Sequence, residues 1–254
     1  MIEFDPAGSI VTGWGDRKDL GNGLHDCHVD KDSNIWIVAT SGIIKKFTHD
    51  GKFLLQAEGP AMPSGIAVDP QNGDLYIADG EAGGPTPGVV VLDKTGKMLR
   101  RFQLNRAANE TQIAPALHCL GFSNDGFVYV CDRKAFRVQV FDRMGKFVKN
   151  INVPWKQYTP PAGRKTTGAF GSASALDFSR DATQRLLFTT NEDNSQIEIL
   201  DRNTGQHLGS FGYGAGHFPG QFTHVHGVVV DSRGNIYTSE VNTGARVQKW
   251  KIVP

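Results

Sequence analysis

Three stretches of the chain share one plan: LHDCHVDKDSNIWIVATSGIIKKF at residues 24–47, LHCLGFSNDGFVYVCDRKAFRVQVF at 117–141, and HVHGVVVDSRGNIYTSEVNTGARVQKW at 224–250. Each has a histidine near its start, then a short β-branched run. A turn built from Asp, Asn, Ser and Gly leads to a second run rich in aromatic and β-branched residues, and a third follows. Runs of this length bounded by such turns read as β-strands, because they suit a pleated, half-buried surface. Two weaker copies start at Ser64 (SGIAVDPQNGDLYIADG) and near Ser174 (SALDFSRDATQRLLFTTNE). Self-similarity at a spacing of roughly 45 to 55 residues is the mark of a repeat architecture.

Each full unit offers four strands, a to d, and four-stranded units repeated in this way are propeller blades. The turn glycines fit that reading. Gly8, Gly51, Gly73, Gly96, Gly126, Gly145, Gly205 and Gly234 each follow a turn-forming pair, where positive φ is needed to reverse the chain. No stretch shows a long apolar pattern of period 3.6, so the expected fold class is all-β. The expected units are residues 2–15 (partial), 24–60, 62–106, 116–153, 172–212 and 224–254 of a single propeller domain spanning 1–254. Residues 2–14 read as a c-d hairpin with no a and b before it, and the last unit lacks d. Either the strand at 9–14 completes the last unit, giving five blades, or the hairpin is the remnant of a sixth. Six angular positions with an incomplete N-terminal blade are favoured, because they space histidines of alternate units evenly.

Composition limits the partners. The chain has 254 residues, with 27 Lys and Arg against 26 Asp and Glu. An even charge balance holds neither nucleic acid nor anionic lipid. No apolar run approaches the ~20 residues of a membrane span, and MIEFDPAG lacks the features of a secretory leader, so a soluble chain without a signal peptide is expected. Cys27, Cys119 and Cys131 are odd in number and too few to staple a chain of this size. A disulfide framework is not expected. A monomer is.

Propeller topology puts the b-c and d-a connections on one face, and the long irregular segments 79–88, 104–117, 154–173 and 212–225 fall among them. Binding residues are mounted on such loops. His25, His118 and His226 share one repeat phase at the entrance to strand a, five residues before Asp30, Ser123 and Asp231; Ser64 and Ser174 occupy it in the other units. Three imidazoles converging there form the donor set of a His₃ zinc site with a fourth position open. The plainer alternative is that they cap strands by hydrogen bonding. His28, His49, His207, His217 and His224 are out of phase and read as structural or solvated. Cys27, two residues after His25 on the same strand face, is placed to approach the metal or to be a small buried thiol, and the second reading is favoured. GYGAG at 212–216 reads as a blade linker, since no helix follows to meet a phosphate. Asn109-Glu110-Thr111 is a formal glycosylation sequon, which means something only in a secretory context.

The three opening stretches, each continuing into a variant of R-V-Q-x-F (Ile43 to Phe47, Arg137 to Phe141, Arg246 to Trp250), resemble NHL repeats. They are most similar to the lyase domain of peptidylglycine α-amidating enzymes and its bacterial relatives, which are six-bladed propellers with an axial zinc ion. The resemblance implies that His25, His118 and His226 bind zinc and that Arg133, in the CDR triplet after strand b of the third unit, binds a substrate carboxylate. It further implies a structural Ca²⁺, a secreted or periplasmic setting, and cleavage of a C-terminal α-hydroxyglycine into a peptide amide and glyoxylate. Guanidinium suits bidentate capture of a carboxylate; the alternative is that Arg133 pairs with Asp132 or another acid. Where the family's catalytic tyrosine is expected, the chain reads Asp79, Gly80, Glu81. Glu81 is then a candidate base or a solvated loop acid, with Tyr158 and Tyr213 as other candidates. A second family arginine has no match. The rival function is a non-catalytic NHL propeller that binds a protein or peptide on its loop face.

Overall fold

The computed structural model describes residues 1–81, 86–110, 114–157 and 170–252. The chain divides into two compact units, Met1–Phe102 and Gln103–Pro254. Among the described residues the α-helix is confined to Arg17–Leu20, short 3-10 turns lie at Ala108–Glu110 and Arg133–Ala135, and the rest of the regular structure is strand.

In the first unit, β1 (Ile2–Phe4) and β2 (Ile10–Gly13) pair with each other as a two-stranded sheet. Two four-stranded antiparallel sheets follow. One contains β3 (Leu24–Val29), β4 (Ile35–Ala39), β5 (Ile43–Phe47) and β6 (Phe53–Ala57); the other contains β7 (Pro63–Val68), β8 (Leu75–Asp79), β9 (Gly88–Leu92) and β10 (Met98–Phe102). In the second unit, β11 (Leu117–Phe122) to β14 (Phe147–Asn152) make a sheet with β12 (Val128–Asp132) and β13 (Arg137–Phe141) between them. The next runs from β15 (Ser172–Phe178) through β16 (Leu186–Asn191) and β17 (Gln196–Asp201) to β18 (His207–Phe211). The last sheet has three strands: β19 (Val225–Val230), β20 (Ile236–Glu240) and β21 (Val247–Trp250).

These are five β-propeller blades, the count of the five-blade alternative rather than the favoured six, although the strand at 9–14 pairs with β1 and the last sheet keeps three strands. The opening hairpin exists, but a three-residue and a four-residue strand, all exposed, bury too little to make a blade of their own. What holds it is its end: Trp14 packs at 5.1 Å from Phe47, and its Nε1 donates to the His49 carbonyl at 2.9 Å.

Burial explains the strand grading. β4, β8 and β12 are buried at every position, while β6, β10 and β18 are mostly exposed or half-buried. Sheets sandwiched between neighbours read as unbroken apolar runs, whereas outer strands alternate. First strands of successive blades lie side by side, β3 with β7 in one unit and β11 with β15 and β19 in the other. The apolar filling between them includes Trp36, Ile66, Leu75 and Val90 in the first unit, and Val138, Phe178, Leu187 and Leu200 in the second. Two carboxylates reach from one blade to the next. Asp26 accepts from the Ile66 amide at 3.0 Å and Asp177 from the Val230 amide at 2.7 Å. Burial pushes the Asp26 carboxyl up to about 6 and raises that of Asp177, though each amide bond pulls the other way.

The turns follow the sequence reading. Asp30, Asp93, Asp142 and Asp231 each accept the backbone N–H groups two and four residues ahead, the hydrogen bonding of an Asx turn. Gly96, Gly145 and Gly234 then take φ of 82 to 89°.

The R-V-Q-x-F pattern also has a physical meaning. Arg137 pairs with Asp132 and, through two hydrogen bonds of 2.7 and 3.0 Å, with Glu110. Gln139 accepts from the Asn105 amide at 2.8 Å and donates to its carbonyl at 2.7 Å. In the last blade Arg246 pairs with Glu240, while Gln248 donates to the Gln221 carbonyl and accepts from the Gly220 amide, both at 2.9 Å. The third strand thus holds the connection that leads into its blade's first strand.

The absence of a disulfide framework needs one correction. Cys119 on β11 and Cys131 on β12 are joined by a disulfide, in strands that run antiparallel as neighbours. A cysteine count argues against a stapled scaffold but carries no register. Cys27, expected to be buried, is exposed on β3.

Candidate functional site

The five in-phase residues share more than position. His25, Ser64, His118, Ser174 and His226 each lie within the register shift that interrupts the first strand of their blade. A bulge takes residues out of the ladder and re-aims their side chains, and bulges gather next to active sites. The phase seen in the sequence is therefore a repeated backbone irregularity.

The bulged serines support the histidines. In the first unit His25 Nδ1 lies 2.6 Å from the Ser64 carbonyl; in the second, His118 Nδ1 lies 2.5 Å from the Ser174 carbonyl. A carbonyl only accepts, so Nδ1 carries the proton in both rings and Nε2 is the basic nitrogen. His118 is buried, and its ring centroid is 4.5 Å from that of His226 in an edge-to-face arrangement. Ring nitrogens of these two residues come within 4.8 Å of each other. Oriented neutral imidazoles, with the second nitrogen held by a backbone carbonyl, are the form in which histidine binds a metal. The donor set fits zinc better than a hard cation.

Arg133 begins a 3-10 turn directly after β12 and is buried. Asp132 pairs with Arg106 at 3.3 Å and Arg137 at 3.1 Å. Arg133 itself lies 3.6 Å from Glu192, a fully buried carboxylate directly after β16. Glu192 accepts from His224 Nε2 at 2.7 Å. His224 Nδ1 in turn faces Asn242 Nδ2 at 2.9 Å, and an amide nitrogen only donates, so His224 is the neutral ring with its proton on Nε2. Burial opposes ionisation of Glu192, but the His224 hydrogen bond, the Arg133 charge and a hydrogen bond from Ser174 outweigh it and hold the carboxyl below its ordinary value.

The walls are close. Phe170 lies 4.3 Å from the His224 ring, and a side chain at Gly171, whose φ is 108°, would meet the Arg133 carbonyl at 2.5 Å. Asp193 ties this segment down, accepting from the Phe170 and Gly171 amides and from Trp155 Nε1 at 2.7 to 3.0 Å. Arg133, Glu192 and Asn242 follow second strands, while Phe170 and His224 precede first strands. Within the second unit, the site is thus built from the b-c and d-a connections, as the topology predicts.

Sequence reasoning missed Glu192 and His224. Glu192 follows β16 as Arg133 follows β12, so it occupies the arginine's own repeat phase, and that was the available signal. His224 lies two residues before an in-phase histidine and reads as structural or solvated, and its contact to buried Glu192 makes it the former. Glu81 is half-buried at the turn after β8 in the first unit. Tyr213 is 79% exposed. Tyr158 and most of the 154–173 loop lie outside the described residues. GYGAG joins β18 to β19 as a blade linker, with Ala215 bridged to Phe222.

Five four- or three-stranded blades and bulged first strands define a β-propeller, and an NHL-repeat profile matches residues 61–83. NHL repeat-containing protein 3 of Homo sapiens is 24% identical over 203 residues, covering 71% of this chain; the chain spans 56% of that relative's length. Among solved structures, virginiamycin B lyase from Staphylococcus aureus is similar over 92% of this chain and 71% of its own, with a TM-score of 0.61 at 15% identity. Its catalytically inactive histidine-to-alanine variant with quinupristin gives 0.63 at 12% identity, covering 97% of this chain and 75% of that one. A streptogramin B lyase structure gives 0.62 at 15% identity, covering 100% and 76%. These likenesses are of fold.

Proposed function

We propose that this protein is a metal-assisted lyase in which His25, His118 and His226 hold one zinc ion and Arg133 anchors a substrate carboxylate. The observation that carries the reading is the serine-carbonyl support of His25 and His118, repeated in two blades, which leaves Nε2 basic at bulges sharing one phase with His226. The resemblance to peptidylglycine α-amidating lyases and the fold likeness to virginiamycin B lyase, one of whose histidines is needed for catalysis, lend further support. The reaction proposed is release of glyoxylate from a C-terminal α-hydroxyglycine. A structural Ca²⁺ and secretion are part of the same proposal, by resemblance alone.

When bound, zinc supplies a Lewis acid for a substrate oxygen. The chain's own residues do the rest. Arg133 neutralises and orients the carboxylate. Glu81 is the proposed acceptor of the hydroxyl proton. As that proton leaves, the C–O bond becomes a carbonyl and the C–N bond breaks, and the amide nitrogen takes up a proton. The products are a primary amide and glyoxylate, with no net oxidation.

The test is metal analysis of purified protein combined with a glyoxylate assay on an α-hydroxyglycine peptide. About one zinc per chain is expected, falling well below that in His118→Ala, and Arg133→Ala should keep the zinc but lose turnover. Full zinc without glyoxylate release would reject the lyase reaction and favour the binding propeller; absence of zinc would reject the metal site.

A further inference from the structure

Four side chains from three blades of the second unit are joined end to end. Asn242 Nδ2 donates to His224 Nδ1 at 2.9 Å, His224 Nε2 donates to Glu192 at 2.7 Å, and Glu192 lies 3.6 Å from Arg133 Nη1. Ser174 adds a hydrogen bond to the same carboxylate. Burial deepens along the series. Asn242 is exposed, the His224 side chain keeps 11% of its surface, and that of Glu192 keeps none.

The direction of these bonds is decided at the exposed end. An amide N–H only donates, so His224 Nδ1 must offer its lone pair, and the neutral ring then carries its proton on Nε2, facing Glu192. The opposite tautomer would set a lone pair against a buried carboxylate, and Glu192 would lose a bond that orients it. Such a loss is costly in the interior, where a bond not made to the protein is not replaced by water. Phe170, 4.3 Å away, packs against the same ring. Asn242 sits at φ 54°, in the left-handed region that asparagine adopts more readily than most residues.

We propose that Asn242 is a positioning residue for the carboxylate anchor. By fixing the tautomer of His224 it fixes the Glu192 carboxylate, and through that carboxylate the direction in which Arg133 presents its guanidinium. The inference rests on the reading in which Arg133 anchors a carboxylate. A two-point grip depends on the orientation of the guanidinium plane, and a long flexible side chain holds such an orientation only against a fixed partner. Glu192 is that partner, and its own place is set two groups away.

The probe is benzoate, a plain carboxylate, titrated calorimetrically into the purified protein, with long-range proton–nitrogen NMR reading the histidine rings. The wild type is expected to show His224 protonated at Nε2 alone, and to bind benzoate in a way that Arg133→Ala abolishes. Asn242→Gly removes the donor and suits a positive φ. It should keep the unfolding midpoint near that of the wild type, divide the His224 proton between both nitrogens, and weaken benzoate about tenfold, the scale of one charge-assisted hydrogen bond. His224→Phe keeps a ring against Phe170 but has no nitrogen, and it should weaken benzoate at least as much. Adding Asn242→Gly to that variant should then cost nothing further, because the amide has nothing left to act through. A merely structural Asn242 would lower stability in both backgrounds and leave tautomer and affinity alone. An unchanged tautomer or affinity in Asn242→Gly, or additive losses in the double variant, overturns the inference while the anchor stands. If benzoate fails to bind the wild type, or binds Arg133→Ala equally well, the anchor reading fails and the inference with it.

Discussion

At the scale of single residues, buried carboxylates are put to different uses according to what they face. Glu192 meets a guanidinium and an imidazole and stays ionised. Asp177 meets mainly the Val230 amide, with Arg180 at 2.7 Å on a more exposed side, and burial leaves its pKa raised. Because the folded state holds the Asp177 proton more tightly than the unfolded chain, protonation favours folding. This stabilisation is complete below the ordinary carboxylate range and is lost as pH rises through the raised value. Asp177→Asn keeps an acceptor for Val230 and no longer titrates. Urea unfolding between pH 4 and 8 should show the wild type losing stability relative to the variant as pH rises; a difference that is flat, or of opposite slope, would contradict the assignment.

At the scale of elements, the third strand's Arg and Gln and the second strand's closing acid hold the loop that enters the blade. Gln139→Ala, at a fully buried position, removes both hydrogen bonds to Asn105 and a third to Asn150 Oδ1. A loss of about 2–4 kcal/mol is expected in denaturant unfolding, against little effect for an exposed glutamine such as Gln206 on the turn before β18. The β11–β12 pair carries the disulfide, so alkylation without reductant should modify Cys27 alone of the three cysteines. Mass spectrometry reads this directly, and labelling of all three would exclude the bond. The sequence showed the strands, turns and blade phase, because β-branched runs and Asx-Gly turns are local. It did not show which cysteines meet, since that depends on register.

At the scale of the molecule, stability and the proposed metal are linked. A ligand that binds only the folded protein stabilises it by mass action, by about 4 kcal/mol at a thousandfold excess over Kd. Thermal unfolding should therefore shift upward by several degrees with added zinc, and the shift should vanish in His25→Ala. A zinc-independent midpoint in the wild type would count against the site.

The sequence by itself determined the blades, their order, the shared phase of His25, His118 and His226, and the place of Arg133 after its second strand. Those are properties of periodicity and turn chemistry, carried by residues near one another in the chain. The tertiary structure decided the rest: that the phase is a bulge, that Ser64 and Ser174 hold the histidine rings by their carbonyls, and that the opening hairpin is too small to be a blade. It also decided that Arg133 meets Glu192, and that His224 is buried against that same carboxylate. Partners 32 to 59 positions apart are chosen by which blade stands beside which, and side-chain charge along the chain says nothing about who is buried together.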